Sequence, residues 1–206
     1  MSTIQNQAVS TRSSATDKRE IILRAAVKVF ARKGYFNSKV SDIAKAANIA
    51  DGTVYLYFKS KEEILHSVFD LTMSESNEET QRQLSTLTDA REKLRRLAQL
   101  HLKWLGEDRE LAIVFQVEFR SSTKFMEAFS AAGFADYLNL VRDIIEQGQA
   151  EGTFRRDLNA KLCAKILYGA LDEMATNWIL SERGYELEPM ADLVLDVFFN
   201  GVNGGK

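Results

Sequence analysis

One cysteine, one proline and two histidines occur among 206 residues. Because Cys163 is alone, an internal disulfide is impossible, and a reducing cytoplasm fits. With Pro189 as the single proline and eleven glycines in all, little interrupts helix propagation. No stretch reaches about eighteen consecutive apolar residues, so no membrane span is expected. No segment alternates apolar and polar residues over a strand's length. The opening MSTIQNQAVSTRSSAT lacks the apolar core of a signal peptide and reads, over residues 1–16, as a disordered arm. Chemistry is sparse too. Glu63 and His66 make a single Glu-x-x-His pair, whereas a dinuclear bundle site needs two such pairs and two more carboxylates. His101 has no Glu at the equivalent offset, and Cys163 has no histidine near it in sequence. A glycine-rich phosphate loop is also missing. No metal site, no cofactor and no enzymatic role are therefore expected, for want of a paired base and nucleophile.

What is present favours helix. Ala, Leu, Glu, Lys and Arg dominate, and 45% of residues are apolar, enough for a packed core. The chain reads as all-α, with about nine helices. Charge is divided along it. Residues 1–61 carry eleven Lys/Arg against four Asp/Glu, a net +7, and residues 62–206 carry sixteen against twenty-five, a net −9. The overall −2 conceals this split. A basic segment attracts the phosphate backbone and gains from counterion release, so contact with double-stranded DNA is expected in the first third only.

Residues 34–65, GYFNSKVSDIAKAANIADGTVYLYFKSKEEIL, carry the clearest pattern. Val40, Ile43, Ala44 and Ala47 recur on one face of a short helix. A turn comes next at Asn48–Asp51, and a second short helix has Val54 and Phe58 inward. Two short helices about such a turn form a helix-turn-helix, whose second helix enters the major groove. Gly52 would let the backbone come close to DNA. Thr53 and Tyr57 would face bases or phosphates, and Tyr55 would clamp a phosphate. Lys39, Lys45, Lys59 and Lys61 would hold the DNA backbone. Ser38 and Ser41, at the start of the preceding helix, suit a phosphate.

This stretch, from about Asp17 to Asn77, resembles the DNA-binding domain of TetR-family transcriptional regulators. The resemblance rests on Gly34-Tyr35, Asp42-Ile43-Ala44, Gly52-Thr53-Val54-Tyr55 and Phe58-Lys59-Ser60-Lys61-Glu62-Glu63. It implies an N-terminal three-helix helix-turn-helix domain over 17–77 and a helical ligand-binding and dimerisation domain over 78–206. One position departs: the family often has Ser or Thr capping the recognition helix, where this chain has Ala50. Asp51 is expected to cap instead.

The first helix should open after Thr16, bury Ile22, Ala25, Ala26, Val29 and Phe30, and end at Gly34. Ser60 with Glu63, and Asp89 with Glu92, read as capping boxes. Further helices are expected over about 108–120, 123–151 (ended by Gly152), 159–181, and from Pro189 onward. The last carries Met190, Leu193, Val194, Leu195, Val197, Phe198, Phe199 and Val202, apolar over more than one face. In the helix over 159–181, Ala164, Gly169 and Ala170 are small enough for close approach of a partner. These features imply a homodimer through 159–181 and 189–202, as a four-helix bundle, and the resemblance implies the same. A twofold protein reads a palindromic operator.

The acidic part suits a ligand pocket. Phe115, Phe119, Phe125, Phe129, Phe134 and Tyr137 are concentrated there. His101 falls within an apolar stripe, as do Glu118 and Arg120 on theirs, so the three must satisfy one another or orient a ligand. The candidate lining is His101, Trp104, Phe115, Phe119, Arg120, Phe129, Tyr137, Val141, Met174 and Trp178. A narrower resemblance lies in ADGTVYLYFKSKEEIL at 50–65, DRELAIVFQVEFRSS at 108–122 and GALDEMATNWIL at 169–180. These resemble the fatty-acid-degradation repressors within the TetR family. That resemblance implies long-chain acyl-coenzyme A as the effector that releases the repressor from its operator. Basic side chains, with Arg120 foremost among Arg95, Arg96, Lys124, Arg155 and Arg156, would meet the coenzyme A phosphates. The physics of the residues alone supports only a hydrophobic effector, and a repressor of an efflux or other pathway stays open as the alternative.

Overall fold

The computed structural model describes residues 3–130, 133–182 and 184–202, and for residues 3–16, 128–130 and 201–202 the backbone alone. It is all-α: ten α-helices and one π turn, with no strand among the described residues. The chain divides into two compact units, Met1–Phe69 and Asp70–Lys206. The division falls within one helix, a little before the 77/78 boundary expected from sequence.

In the first unit, α1 runs Thr3–Lys33. It begins well before Thr16, because residues 3–16 contain neither Pro nor Gly to stop it. Ile22, Ala25, Ala26, Val29 and Phe30 are buried, as their spacing requires. Gly34, at φ 76°, ends the helix in the left-handed region, its N–H donating to Phe30 O at 2.8 Å. Helix α2 (Val40–Ala46) is opened by Asp42, whose Oδ2 accepts from the Lys39 N–H at 3.0 Å. Asn48, at φ 54°, makes the turn. Helix α3 (Asp51–Tyr55) then presents its outer face. Ala50, not Asp51, holds the cap position, and no side chain caps it. Asp51 is the first helical residue, where its charge still favours the positive helix end. Val54 and Phe58 are buried beneath, each contributing about 1.5–3 kcal/mol by apolar burial. The Arg19 guanidinium lies 5.1 Å from the Phe58 ring and donates to Ser67 Oγ at 3.0 Å, tying α1 to both later elements.

Helix α4 (Lys61–Leu84) starts where expected: Ser60 Oγ accepts from the Glu63 N–H at 3.1 Å, and Glu63 Oε2 accepts from the Lys59 N–H at 2.6 Å.

In the second unit, the latter part of α4 leads into α5 (Ala90–Glu107) and α6 (Arg109–Ile113). After them come α7 (Thr123–Ser130), α8 (Gly133–Glu151), α9 (Ala160–Leu180) and α10 (Met190–Val202). Asp89, Asp108 and Asn159 accept at the N-termini of α5, α6 and α9 from the N–H groups of Glu92, Leu111 and Leu162. The core is built from α5, α8, α9 and α10, around Leu94, Leu102, Val141, Leu167, Leu171 and Leu195.

One expected helix differs. The one over 108–120 is α6 continued by a π turn, Val114–Glu118, in which Phe119 N–H donates to Val114 O at 3.2 Å. The extra residue in that turn rotates Phe119 and Arg120 relative to the face that α6 alone would give them. The span 123–151, expected as one helix, is helical on both sides of residues 131–132, which lie outside the described residues: α7 before them and α8 after. Gly133 lies against α4, and a Cβ there would lie 2.8 Å from Met73 Cβ. Asn77 Nδ2 donates to Gly133 O at 3.1 Å, fixing the approach.

Candidate functional site

On the first unit, Lys39, Ser41, Lys45, Gly52, Tyr55 and Lys59 are exposed, with Thr53 and Tyr57 half-buried. The outer side of α3 is therefore open from its N-terminus to Tyr55, which is 58% exposed. A Cβ built on Gly52 meets nothing within 4 Å.

Ser38 and Lys61 depart from this set, both turned inward. Ser38 is buried, and its hydroxyl donates to Gly34 O at 2.6 Å, which closes the turn after α1. The Lys61 ammonium donates to Tyr35 O at 2.6 Å and Ser38 O at 2.7 Å. It also sits 4.2 Å from the Tyr35 ring centroid. Burial lowers its pKa and raises that of Tyr35, with the Glu62 charge adding to the latter. A half-buried ammonium satisfied by carbonyls organises the turn between α1 and α2 rather than offering itself to a phosphate.

On the second unit, a cavity opens between α4, α5, the π turn, α8 and α9. His101, Trp104, Phe115, Arg120 and Tyr137 of the expected set line it. Its free space is about 60 Å³, far below the ~300–1,000 Å³ usual for an occupied ligand site. Phe119 is buried behind Phe115, ring centroids 5.5 Å apart. Val141 belongs to the core, and Met174 packs against it. Trp178 is turned away, its Nε1 donating to Tyr185 O at 2.8 Å. The side chain of Phe129 lies outside the described residues. The other arginines are engaged elsewhere: Arg95 with Asp192, Arg96 with Gln83, Arg155 with Asp157, Arg156 with the carbonyls of Gln149 and Ala150.

Sequence reasoning missed the cavity's most connected group, Asp172 on α9. Buried, its Oδ1 accepts from Gln116 Nε2 at 3.0 Å, Arg120 Nη2 at 2.7 Å and the Tyr168 hydroxyl at 3.1 Å. Arg120 also reaches Tyr168 OH at 3.0 Å, and Thr176 Oγ1 donates to Gln116 Oε1 at 3.1 Å. Burial would lower the Arg120 pKa, but the Asp172 carboxylate outweighs it and the net shift is upward. Arg120 is thus paired with Asp172 and Tyr168, so of the two alternatives open from sequence, mutual pairing of His101, Glu118 and Arg120 is not what the side chains make. A signal was available: Asp172 falls at helical spacing in line with Ala164, Tyr168, Ala175 and Ile179, whereas Glu173 beside it does not. Thr72, Ser76 and Thr80, also missed, form an i, i+4, i+8 row of hydroxyls on α4 that lines the opposite wall.

His101 and Tyr137 lie in ring contact within this lining, centroids 5.4 Å apart. Neither His101 Nε2 nor the Tyr137 hydroxyl has a hydrogen-bond partner, and both atoms are shielded from solvent. Burial lowers the His101 pKa to about 4, the Asp172 charge offsetting part, so the imidazole is neutral near pH 7. Burial raises the Tyr137 pKa. No cluster of His, Cys, Asp or Glu among the described residues is arranged to hold a metal ion. No helix among them is long and apolar enough to cross a membrane.

A basic helix-turn-helix unit joined to a helical unit with an internal cavity defines a two-unit DNA-binding transcriptional regulator. The chain belongs to the TetR family. Residues 22–68 match the family model described as bacterial regulatory proteins, tetR family. Residues 69–201 match the model described as YsiA-like protein, C-terminal region. The fatty acid metabolism regulator protein of Bacillus subtilis is 36% identical, over 88% of this chain and 94% of its own length. The structure of the fatty acid degradation regulator FadR from Bacillus halodurans is 38% identical, with a TM-score of 0.85, covering 89% of this chain and 95% of that one. The crystal structure of FadR from Bacillus subtilis in complex with stearoyl-CoA is 35% identical, with a TM-score of 0.84, covering 89% and 99%.

Proposed function

We propose that the protein is a homodimeric, cytoplasmic repressor that binds a palindromic operator, is released from it by long-chain acyl-coenzyme A, and so controls genes of fatty-acid metabolism. The observation that carries this is the cavity of the second unit: aromatic and aliphatic walls, with one part-exposed arginine, Arg120, at its polar side. That combination suits an apolar tail bearing an anionic head. The similarity to a regulator crystallised with stearoyl-CoA supports the same ligand class. The tail takes the space between α5, the π turn and α8, and Arg120 meets the head.

DNA contact falls to Lys39, Ser41, Lys45, Gly52, Thr53, Tyr55, Tyr57 and Lys59. Ser38 and Lys61 support them from beneath. Dimerisation uses the outward stripes of α9 and α10. Leu162 and Ile166 are 57% and 54% exposed on the first, Leu193 and Val197 62% and 75% on the second. Such apolar patches mark interfaces.

Entry of an acyl tail must displace side chains, because the free space is so small. Thr72, Ser76 and Thr80 on α4 lie in the cavity wall, and Lys61 begins that same helix. A ligand that shifts α4 thereby favours a state in which the recognition helices no longer match the operator.

The test is release of a labelled operator by an acyl-coenzyme A series, set against free aromatic drugs, with oligomeric state read by native mass spectrometry. Release by long-chain thioesters from a dimer is expected. If saturating acyl-coenzyme A leaves the complex intact while a drug dissolves it, the effector assignment fails and the repressor assignment stands.

A further inference from the structure

The polar groups of the cavity are not evenly distributed. Arg120, Asp172, Tyr168 and Gln116 satisfy one another. His101 Nε2 and the Tyr137 hydroxyl, one ring further in, satisfy nothing. The ring centroids of His101 and Tyr137 lie 6.0 and 6.1 Å from that of Tyr168, so the three rings pack as one cluster in the cavity lining beside the paired arginine. Along α5 the wall is apolar on both sides of His101, with Leu97 one turn before it and Leu105 one turn after. An unpaired polar atom removed from water is a standing penalty, relieved when a ligand supplies its partner. Two such atoms on touching rings can be relieved together by one oxygen with two lone pairs.

We infer that His101 and Tyr137 receive the carbonyl oxygen of the effector's thioester, and so select an acyl thioester over an alkyl chain carrying the same head. This rests on the acyl-coenzyme A reading above. The groups of the cavity suit such a ligand: a cation for the head, a pair of neutral polar atoms for the carbonyl, and apolar side chains for the tail. Charge argues the same way. The imidazole is neutral at working pH, and the phenol is neutral too, so the His101–Tyr137 pair itself offers no counter-charge. A neutral carbonyl is therefore accommodated where a free carboxylate would lack a counter-charge. The phenol donates to the oxygen, and the neutral imidazole donates from Nε2 in one of its two tautomers.

The test compares stearoyl-coenzyme A with its S-octadecyl thioether, which keeps head and tail and lacks the carbonyl oxygen. Binding is measured by isothermal titration to the full-length wild-type protein and to Tyr137→Phe, His101→Leu and His101→Gln. Wild type is expected to bind the thioester about tenfold more tightly than the thioether. Tyr137→Phe and His101→Leu should bring the ratio near unity. His101→Gln, which keeps a donor at that place, should restore part of it. Tyr137→Phe keeps the ring and removes an unpaired hydroxyl, so its thermal midpoint should not fall, and a lost ratio there cannot be ascribed to unfolding. Equal binding of the two ligands by wild type, or a ratio that survives Tyr137→Phe, overturns the proposal alone. If neither ligand binds, the proposal falls together with the acyl-coenzyme A reading.

Discussion

The Lys61 ammonium lies 4.2 Å from the Tyr35 ring centroid and donates to the Tyr35 carbonyl at 2.6 Å. A lysine in the first turn of α4 thus fastens the turn that orients α2, far back along the chain. Lys61→Ala should lower the stability of the N-terminal unit by about 1–2 kcal/mol. It should weaken operator binding without altering the slope of log affinity against log salt. A direct phosphate contact would instead reduce that slope by about one. Fluorescence anisotropy titrations at several salt concentrations separate the two outcomes.

Gly52 offers an opposite test. Because a Cβ there meets nothing within 4 Å, Gly52→Ala should leave the free protein as stable as before, or up to about 1 kcal/mol more stable. Operator affinity should nonetheless fall about tenfold or more if the first turn of α3 lies against the duplex. Undiminished binding would remove Gly52 from the interface.

Asp172 and Arg120 should not be equivalent, although they form one ion pair at 2.7 Å. Asp172 is buried and holds three donors, whereas Arg120 is part-exposed and can be rehydrated. Asp172→Ala should cost about 3 kcal/mol, and Arg120→Ala less than half of that. Trp104 and Trp178, the only two tryptophans, both lie in the second unit. Urea unfolding monitored by tryptophan fluorescence therefore reads this unit alone. Equal losses would mean that the pair, rather than the three-donor network, sets the stability.

His101 makes a prediction in pH. Its folded-state pKa, about 4, lies below its ordinary value of 6.5. The unfolded chain therefore binds the proton first as pH falls, and folding loses stability between about pH 6.5 and 4, then no further from this group. The loss amounts to about 3 kcal/mol at most. His101→Leu lacks this group, so the wild-type curve should fall relative to the variant's across that window. Parallel curves would place the imidazole in contact with water.

Val197→Glu puts a charge at the most exposed apolar position of α10. It should dissociate the proposed dimer without unfolding the protomer, and weaken operator binding by the loss of one half-site. Sedimentation velocity gives the answer. A variant that remains dimeric moves the interface off α10.

What could be read from residues alone was local. The helix-turn-helix was legible in short periodicities at Val40–Ala47 and Val54–Phe58. Ser60, Asp89 and Gly34 announced helix ends, because capping involves residues only three or four apart. What escaped was non-local. Gly133 stands where Met73, on another helix, comes too close for a side chain. Lys61 looked like a surface cation until its partners, 23 and 26 residues earlier, were seen beneath it. The Gln116–Asp172–Arg120 network spans helices 52 to 56 residues apart. Nor does an aromatic stripe say which of its members face a cavity. Phe115 and Tyr137 do, while Phe119 packs behind.

The division of charge along the chain bears on how the molecule finds its target. Cations are concentrated before residue 62 and anions after it, so a nearby duplex exerts a torque as well as a pull. Collisions are biased toward those that bring the basic end in first. The bias fades once mobile ions screen it beyond about 8 Å at physiological strength. A protein whose net charge is only −2 therefore searches DNA with the ionic sensitivity of a polycation.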